Sequence, residues 1–432
     1  MENQSRAIKI LPDAGMVLAG LHRSGFQAYV VGGCVRDALL GMTPHDWDIC
    51  TDARPDQVQR IFGKNHCIPT GIQHGTVTVH AGASFLEVTT FRTESGYSDG
   101  RHPDRVSFIR DVREDLARRD FTVNAMAYND EEGLIDPFGG MVDLLNHRVI
   151  RAVGIPAERF HEDALRIMRL YRFAARLEFA IDPATEKAAL ELAPALCHVS
   201  AERIREELVK TILMRVPSRY LPKVILREIL PELAADGDAD FRAVMALLDA
   251  SPAGQSQRLA ALFSRLSGEE SPEEKARRVL RRLRFSNEET DAVTGLVRHL
   301  AEEPASGGLS QRVQARRLLG DLGLEGAENL IGLWAAKRTC AGRTDAADGP
   351  DRVGELDALI RQMAASRECV SLKQLAIGGR DLMQEYPQAR GPVLGRTLNR
   401  LLDDVICERV PNRREALLEE AGKILSVPQP PA

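Results

Sequence analysis

The stretch at residues 29–51, YVVGGCVRDALLGMTPHDWDICT, guides the interpretation of the rest of the chain. It begins with a short apolar run, breaks at Gly32-Gly33 and continues with helical spacing, which predicts a strand, a glycine turn and a helix. Paired glycines at such a turn let the backbone approach a ligand and direct free N–H groups at it, as phosphate binding requires. An isolated glycine pair, however, is far more often an ordinary turn.

The second half of the stretch contains two carboxylates, Asp46 and Asp48, on either side of Trp47. Residues i and i+2 of a strand face the same side, so both carboxylates should converge while Trp47 and Ile49 face the core. Carboxylate oxygens suit Mg²⁺, and substrate phosphates and water complete its coordination. A solvated strand end is the alternative for an isolated Asp-x-Asp. The glycine turn close before it makes a nucleotide and metal site the better hypothesis.

Composition narrows the class of protein. A chain of 432 residues, 44% of them hydrophobic, predicts a globular protein with two to four domains or lobes. No run approaches about twenty uncharged apolar residues and the first residues lack a signal-peptide core, which predicts a cytoplasmic protein with no membrane partner. Seven widely spaced cysteines without a Cys-x-x-Cys pair argue against a disulfide framework and a zinc site. The net charge of -5 does not itself favour nucleic acid, although arginines cluster locally.

Several short motifs follow one another along the first half of the chain. The first is Gly-Gly-x-Val-Arg-Asp with Leu-Leu-Gly and Asp-x-Asp-Ile, and it is followed by RRDFTVNA at 118–125, DPFGG at 136–140 and EDALR at 162–166. This order resembles the tRNA nucleotidyltransferases. More fully, the sequence is similar to the class II CCA-adding enzymes, which share their head with bacterial poly(A) polymerases. The resemblance is strong over the first half of the chain and weaker near the C-terminus.

The resemblance and the periodicity together predict an α+β fold. A nucleotidyltransferase head with a small mixed or antiparallel sheet and helices is expected first, followed by an all-α neck, body and tail. The head should contain an antiparallel hairpin, because two β-branched segments flank a glycine turn. The expected domains are a catalytic head at 1–150, a neck for base selection at 151–215, a body at 216–340 and a tRNA-binding tail at 341–432.

Further site residues follow from matching the motifs of the family. Glu87, in the second strand of the predicted hairpin, is a candidate third catalytic carboxylate, with a surface glutamate as the alternative. Arg119, Asp120 and Asn124 are expected to introduce a helix with Phe121, Val123 and Met126 on its apolar side. They should bind the nucleotide, because Arg pairs with phosphates and Asp or Asn with ribose, and a capped helix with solvated arginines is the alternative. The complete predicted nucleotide-binding set is Gly32, Gly33, Arg36, Arg119, Asp120, Asn124, Asp163, Arg166, Arg169 and Arg172.

Asp163 and Arg166 are the candidates for base selection. They are three residues apart in a predicted helix and would be neighbours on one face, so an ordinary i,i+3 salt bridge is the alternative. Cytosine and adenine both present an amino donor beside a ring-nitrogen acceptor, whereas uracil and guanine present an oxygen beside a ring N–H. A carboxylate and a guanidinium would therefore accept C and A and reject U and G. The resemblance implies this role.

The function that the resemblance implies is addition of CCA to tRNA 3′ ends from CTP and ATP. Asp46 and Asp48 would hold two Mg²⁺ ions, one activating the primer hydroxyl and one neutralising the triphosphate. A flexible loop at 93–114 is expected to help the switch from C to A. An A-adding or CC-adding enzyme and a poly(A) polymerase share nearly the same motifs. A non-catalytic RNA-binding protein should lack the metal carboxylates, which are present here. The oligomeric state stays open.

Overall fold

The computed structural model describes residues 8–96, 105–234, 237–265, 270–302, 311–342 and 352–426. The chain forms two compact units, Met1–Ala234 and Ala235–Ala432.

A seven-stranded mixed sheet forms the centre of the first unit. Its order is β3-β4-β5-β2-β1-β8-β9, and every neighbouring pair is antiparallel except β2 and β5, which are parallel. The apolar run after residue 27 becomes the buried strand β1, as the sequence predicts. The strands are β1 Ala28–Val31, β2 Ile49–Thr51, β3 Cys67–Gly71, β4 Thr76–Ala81, β5 Ser84–Thr90, β8 Ala127–Asn129 and β9 Gly133–Ile135.

The predicted hairpin is confirmed as strands β4 and β5. Thr76 pairs with Thr89 and Ala81 with Ser84, so only two residues connect the strands. Alternation of side chains buries Val77 and Val79 on one face, since successive residues of a strand face opposite sides. The β-branched pattern thus fixes which face of this hairpin joins the core.

The segment at 93–114 differs from the single irregular loop that the sequence predicts. Its ends pair as the antiparallel strands β6 Arg92–Ser95 and β7 Arg105–Phe108, and helix α4 begins at Val112. Residues 97–104, the central part of the expected loop, lie outside the described residues. Val106 and Phe108 alternate with polar residues, and Thr93 is β-branched, which together are a weak strand signal. The neighbouring Gly, Asp and Pro residues are the stronger signal and favour a loop.

Eleven α-helices are described in the first unit, several of them begun by proline, whose missing N–H costs nothing at that position. A short parallel strand pair links the end of the predicted head to the predicted neck, β10 Val149–Ile150 with β11 Ala180–Ile181, and the all-helical prediction for the neck lacks the second strand. The helices are α1 Pro12–Arg23, α2 Gly33–Leu39, α3 Pro55–Phe62, α4 Val112–Ala117, α5 Gly140–Val142, α6 Pro156–Glu162, α7 Leu165–Leu177, α8 Pro183–Glu191, α9 Ala201–Ile212, α10 Lys223–Ile229 and α11 Pro231–Ala234.

The described residues of the second unit form helices joined by turns and loops, without strands. Ser271 and Ser286 begin two of the helices with capping boxes, in which each serine accepts the N–H of a glutamate three residues later. The helices are α12 Asp238–Ala250, α13 Gln255–Leu262, α14 Pro272–Arg282, α15 Asn287–Leu300, α16 Gln311–Cys340, α17 Arg352–Ala365, α18 Gly379–Glu385, α19 Pro392–Ile406 and α20 Arg414–Ser426.

The C-terminal helices have an apolar core of their own, in which Leu382, Leu401 and Leu417 are fully buried. Helix α16 is interrupted at Gly323, whose φ of 69° is incompatible with a regular helix. Among the described helices, none combines the length and the apolar character that crossing a bilayer demands.

Candidate nucleotide and metal site

Strand register brings three carboxylates to one edge of the sheet. Ile49 of β2 pairs with Val88 of β5, so the preceding residues, Asp48 and Glu87, lie side by side on parallel strands. Asp46 is two residues earlier on the same segment. The three residues are all exposed, whereas the intervening Trp47 is 7% exposed and Ile49 is fully buried. The predicted alternation is therefore present, although β2 itself begins only at Ile49.

These carboxylates repel one another. Surrounding protein displaces water from Asp48 and raises the pKa of its carboxyl group, Arg119 opposes this shift, and the charges of Glu87 and Asp46 add to it. In the described structure, the carboxylates of Asp46, Asp48 and Glu87 form no hydrogen bond or ion pair with other protein groups. A nearby divalent cation would relieve this repulsion.

The donor set fits a hard divalent cation. The described residues contain no group of three or more His, Cys, Asp or Glu side chains that could enclose a metal by themselves. Glu87 therefore does not complete a three-ligand cluster with Asp46 and Asp48 in this conformation. Mg²⁺ is commonly held by one or two carboxylates, with substrate phosphates and water supplying the other oxygens. The aspartates are suited to this kind of open site.

The glycine turn lies next to Asp48. The N–H of Val31 donates to the Asp48 carbonyl at 3.0 Å, which joins the end of β1 to the start of β2. Gly32 has φ 80°, and its N–H donates to the Met126 carbonyl at 3.0 Å. The sequence predicts free N–H groups at both glycines, and for Gly32 this is wrong, because the Met126 carbonyl, immediately before β8, accepts from that donor.

Gly32 instead allows a close approach of Arg119. A Cβ atom at this position would lie 2.9 Å from Arg119 Nη1. The residue that carries it would also have to adopt a positive φ, which glycine tolerates best. Arg119 is otherwise weakly paired, since its Nη2 lies 3.5 Å from Asp115 and its buried Nε has no hydrogen-bond partner. A partly unsatisfied guanidinium beside the glycine turn, close enough to Asp48 to affect its pKa, is suited to an anion such as a triphosphate.

The segment that contains Arg119 does not begin a helix, which corrects the sequence prediction. Helix α4 ends at Ala117, and a single 3₁₀ turn, Thr122–Asn124, leads into β8. Phe121, Val123 and Met126 are nonetheless fully buried, as predicted. Their apolar spacing was interpreted as helical, but a turn followed by a strand buries them equally well.

Asp120 is satisfied entirely by protein groups. Its Oδ1 accepts from the Phe121 N–H at 2.8 Å and from Asn124 Nδ2 at 3.2 Å, and its Oδ2 accepts from Arg169 Nε at 2.8 Å and Nη2 at 2.6 Å. Burial alone would raise the pKa of Asp120, but Arg169, Arg166 and the hydrogen bonds lower it to about 2. Asp120 therefore orients Arg169 and Asn124.

Three predicted arginines surround one aromatic ring. The guanidinium carbons of Arg36, Arg169 and Arg172 lie 5.3, 5.2 and 4.2 Å from the centre of Phe173. Burial lowers the pKa of Arg36, and this side chain donates to Asn124 Oδ1 at 2.6 Å. The sequence analysis did not select Phe173, although its helical spacing from Arg169 was an available signal.

The base-selecting candidates do not share a helix face, which corrects the sequence geometry. Asp163 ends α6 in an extended conformation, with φ −149°, and Arg166 lies in the first turn of α7. Asp163 accepts from Leu165 N–H at 3.0 Å and from Arg203, while Arg166 donates to Glu162 at 2.5 Å. The described contacts thus contain no ion pair between Asp163 and Arg166, so the simple i,i+3 salt bridge is absent.

Arg203 and Glu207, both on α9, are site residues that the sequence analysis missed. Glu207 accepts from Arg172 Nε at 2.5 Å, and Arg203 binds both oxygens of Asp163. They are four residues apart and so share a helix face, but only their position opposite α7 distinguishes them from ordinary surface charges.

The DPFGG motif has a structural role here. Asp136 accepts the N–H groups of Gly140 and Met141 at 2.7 and 2.9 Å and so holds the start of α5. A side chain on Gly140 would collide with the Thr122 carbonyl. The motif therefore packs α5 against the turn that carries Asn124.

Family models match most of the chain. Residues 28–151 match the poly A polymerase head domain, residues 178–236 the probable RNA and SrmB-binding site of polymerase A, and residues 254–421 the putative domain 2 of tRNA nucleotidyltransferase. The first and third matches lie in different compact units.

Curated relatives are similar over nearly the whole chain. The CCA-adding enzyme of Lactiplantibacillus plantarum is 36% identical over 414 residues, which are 94% of this chain and 95% of the relative. That of Lactobacillus delbrueckii subsp. bulgaricus is 48% identical over 250 residues, which are 57% of this chain and 62% of the relative.

A solved structure of the Bacillus stearothermophilus CCA-adding enzyme in complex with CTP has a TM-score of 0.76 and 31% identity, covering 96% of this chain and 98% of that one. The Thermotoga maritima CCA-adding enzyme complexed with tRNA has a TM-score of 0.62 at 20% identity, with coverage of 96% and 97%, and supports the fold alone.

Proposed function

The chain belongs to the CCA-adding enzyme family, and from this premise we propose that it adds the 3′-terminal CCA sequence to tRNA from CTP and ATP, without a nucleic-acid template, and releases pyrophosphate. The observation that carries the proposal is the grouping of Asp48 with Glu87 and the partly unsatisfied Arg119 beside the Gly32 turn. This grouping combines carboxylates that lack protein partners with a guanidinium suited to phosphate.

Asp46 and Asp48 are the proposed metal ligands, and Mg²⁺ is the proposed ion because its preferred ligands are hard oxygens. Bound there, the ion supplies charge neutralisation for attack by the primer 3′-hydroxyl and for the departing pyrophosphate. Glu87 is proposed to support the catalytic carboxylates from the neighbouring strand. Arg119 binds and orients the triphosphate, and the adjacent glycine turn leaves room for its side chain.

A layer of buried residues keeps the nucleotide pocket in shape. Asp120 holds Arg169 with two hydrogen bonds, and Arg36 holds Asn124 with one. Because these groups satisfy each other, nucleotide binding need not reorganise them. Asn124, Arg169 and Arg172 are proposed to define the sugar and base side of the pocket, with Phe173 as their common support.

Asp163 and Arg166 are proposed to select the base. An ionised carboxylate only accepts hydrogen bonds and a guanidinium only donates them. Cytosine and adenine match this arrangement through an amino group and a ring nitrogen, whereas uracil and guanine present the opposite pattern. Discrimination therefore comes from protein side chains rather than from a nucleic-acid template.

We further propose the division into head at 1–150, neck at 151–215, body at 216–340 and tail at 341–432, with tRNA held by the helical part. The supporting observation is that the polymerase head model ends at residue 151 and the domain 2 model spans 254–421. A cytoplasmic location is proposed because tRNA maturation is the proposed task.

The proposal is tested with tRNA transcripts that end in the discriminator base or in CC, each supplied with labelled CTP, ATP or both. We expect two C residues and one A on the first transcript, and one A on the second. Addition of A alone to the CC transcript would identify an A-adding enzyme, and long A tracts would identify a poly(A) polymerase. The absence of any addition would contradict the proposal.

A further inference from the structure

Arg203, in the first turn of α9, donates two hydrogen bonds to the carboxylate of Asp163. Its Nη1 lies 3.2 Å from Oδ1 and its Nη2 lies 2.7 Å from Oδ2. The Asp163 and Arg203 side chains are only 17% and 22% exposed, so solvent screens this pair incompletely. Two parallel bonds between planar groups fix orientation as well as distance.

These contacts leave Asp163 with few open acceptor positions. A carboxylate offers about four such positions, two on each oxygen. On Oδ1, the N–H of Leu165 and Arg203 Nη1 fill both, and on Oδ2, Arg203 Nη2 fills one. The remaining position on Oδ2 can accept a single donor, which is what one exocyclic amino group provides.

Arg166 is oriented by a separate set of contacts. Its Nη1 donates to Glu162 at 2.5 Å and to the Arg159 carbonyl at 3.3 Å, and its Nη2 donates to the Arg118 carbonyl at 2.9 Å. Its Nε–H and one Nη2 hydrogen remain for a ligand. Asp163 and Arg166 are therefore held independently, and only the first depends on α9.

We propose that Arg203 is a positioning residue for base selection, which acts by aiming the one open acceptor of Asp163 at the amino group of cytosine or adenine. This inference rests on the proposed function. Without Arg203, the carboxylate could rotate and hydrate, and its matched contact with C or A would weaken while its mismatch with U would matter less. The loss in kcat/KM should therefore be larger for CTP and ATP, which make the contact, than for UTP.

The test measures kcat/KM for CTP and for UTP, on a transcript ending in the discriminator base, with wild type, Arg203→Ala, Arg203→Lys and Asp163→Ala. Arg203→Ala should lower the CTP/UTP ratio about tenfold, because a matched buried hydrogen bond is weakened. The change should come mainly from a higher KM for CTP. Arg203→Lys should restore part of the ratio, because lysine keeps the charge but lacks the two-pronged geometry.

A double variant shows whether Arg203 acts through Asp163. In Asp163→Ala, further replacement of Arg203 by Ala should leave the ratio unchanged, since its target is already absent. The matched control is Arg215→Ala, because Arg215 also binds both oxygens of a glutamate, Glu178, at 2.7 and 2.8 Å, but on an exposed surface. Its ratio should equal that of wild type.

A wild-type ratio in Arg203→Ala would overturn the inference, as would a further drop in the double variant. If circular dichroism shows Arg203→Ala to be unfolded, Arg203→Lys decides, and a wild-type ratio and KM in that variant overturn the inference. Wild-type enzyme that adds neither nucleotide would instead contradict the proposed function, so the two failures are distinguishable.

Discussion

Within the described part of the chain, the carboxylates of Asp46, Asp48 and Glu87 lack cationic partners that bind them directly, whereas the carboxylate of Asp120 is bound by arginine. Asp48 has a raised pKa and no side-chain partner among the described residues, whereas Asp120 accepts four hydrogen bonds and has its pKa lowered to about 2. Both are aspartates in the same compact unit. Loss of water contact disfavours both ionised forms, so the charged neighbours decide the direction of each shift: Arg119 is opposed by Glu87 and Asp46 at Asp48, whereas Arg169 and Arg166 act together on Asp120.

This difference separates residues that act on a ligand from residues that shape the protein. An unsatisfied cluster of like charges destabilises the fold and is useful only when something else binds it. A saturated carboxylate contributes to folding and keeps its neighbours in place. Arg119, with its orphaned Nε, belongs to the first group, and Arg169 belongs to the second.

The largest expected effect is the loss of nucleotide addition when Asp48 is replaced. Asp48→Asn should reduce addition of both C and A by about a thousandfold or more, because electrostatic stabilisation worth several kcal/mol is lost. Its Tm should stay equal to wild type or rise, since repulsion from Asp46 and Glu87 is relieved. Single-turnover addition and calorimetry measure the two quantities. Clear destabilisation with residual activity above a tenth of wild type would contradict the comparison.

Asp120→Ala should show the opposite signature. Arg169 would lose the partner that binds it with two hydrogen bonds, at a cost of about 3 kcal/mol in the free energy of unfolding, measured in urea at pH 7. Asn124 would also lose an acceptor. Unchanged stability would show that the network is not structural.

The pH dependence of Asp120 has a defined sign. Its pKa falls from 3.8 to about 2 on folding, so its contribution to stability is complete above about pH 4 and is lost as the pH falls toward 2. Asp120→Asn, which cannot ionise, should therefore lose less stability than wild type between pH 4 and pH 2. If the free energies of unfolding of wild type and Asp120→Asn fall in parallel between pH 4 and pH 2, the lowered pKa is contradicted.

Base selection should respond without loss of triphosphate binding. Asp163→Ala and Arg166→Ala are each expected to lower the CTP/UTP ratio of kcat/KM about tenfold to a hundredfold, because one matched donor or acceptor is removed. The KM for pyrophosphate in the reverse reaction should stay near wild type. Loss of activity with an unchanged ratio would make the pair structural.

The smallest effect is expected at Arg119. Arg119→Ala should raise KM for CTP and ATP alike by about tenfold, because one charge-assisted contact to phosphate is worth about 1.5 kcal/mol. The CTP/UTP ratio should not change, which distinguishes this residue from Asp163. A change in the ratio without a change in KM would assign Arg119 to the base.

Local patterns in the sequence were reliable where neighbouring residues determine the outcome. The strand at 28–31, the glycine turn, the hairpin and the burial of Trp47 between two exposed aspartates all follow from periods of two or from backbone freedom at glycine. The same kind of pattern misled where two structures share one spacing. The apolar residues 121, 123 and 126 fit a helix equally well, and the turn and strand were decided by pairing with β1.

The sequence by itself determined the family, the order of the motifs and the position of Asp46 and Asp48 on one side of their segment. Tertiary structure alone decided which charges meet, because Arg169 binds Asp120 across 49 residues and Arg203 binds Asp163 across 40. Spacing along a chain fixes only the face of an element. The partner on that face depends on how separate elements pack, and it is this packing that left Asp48 unsatisfied and saturated Asp120.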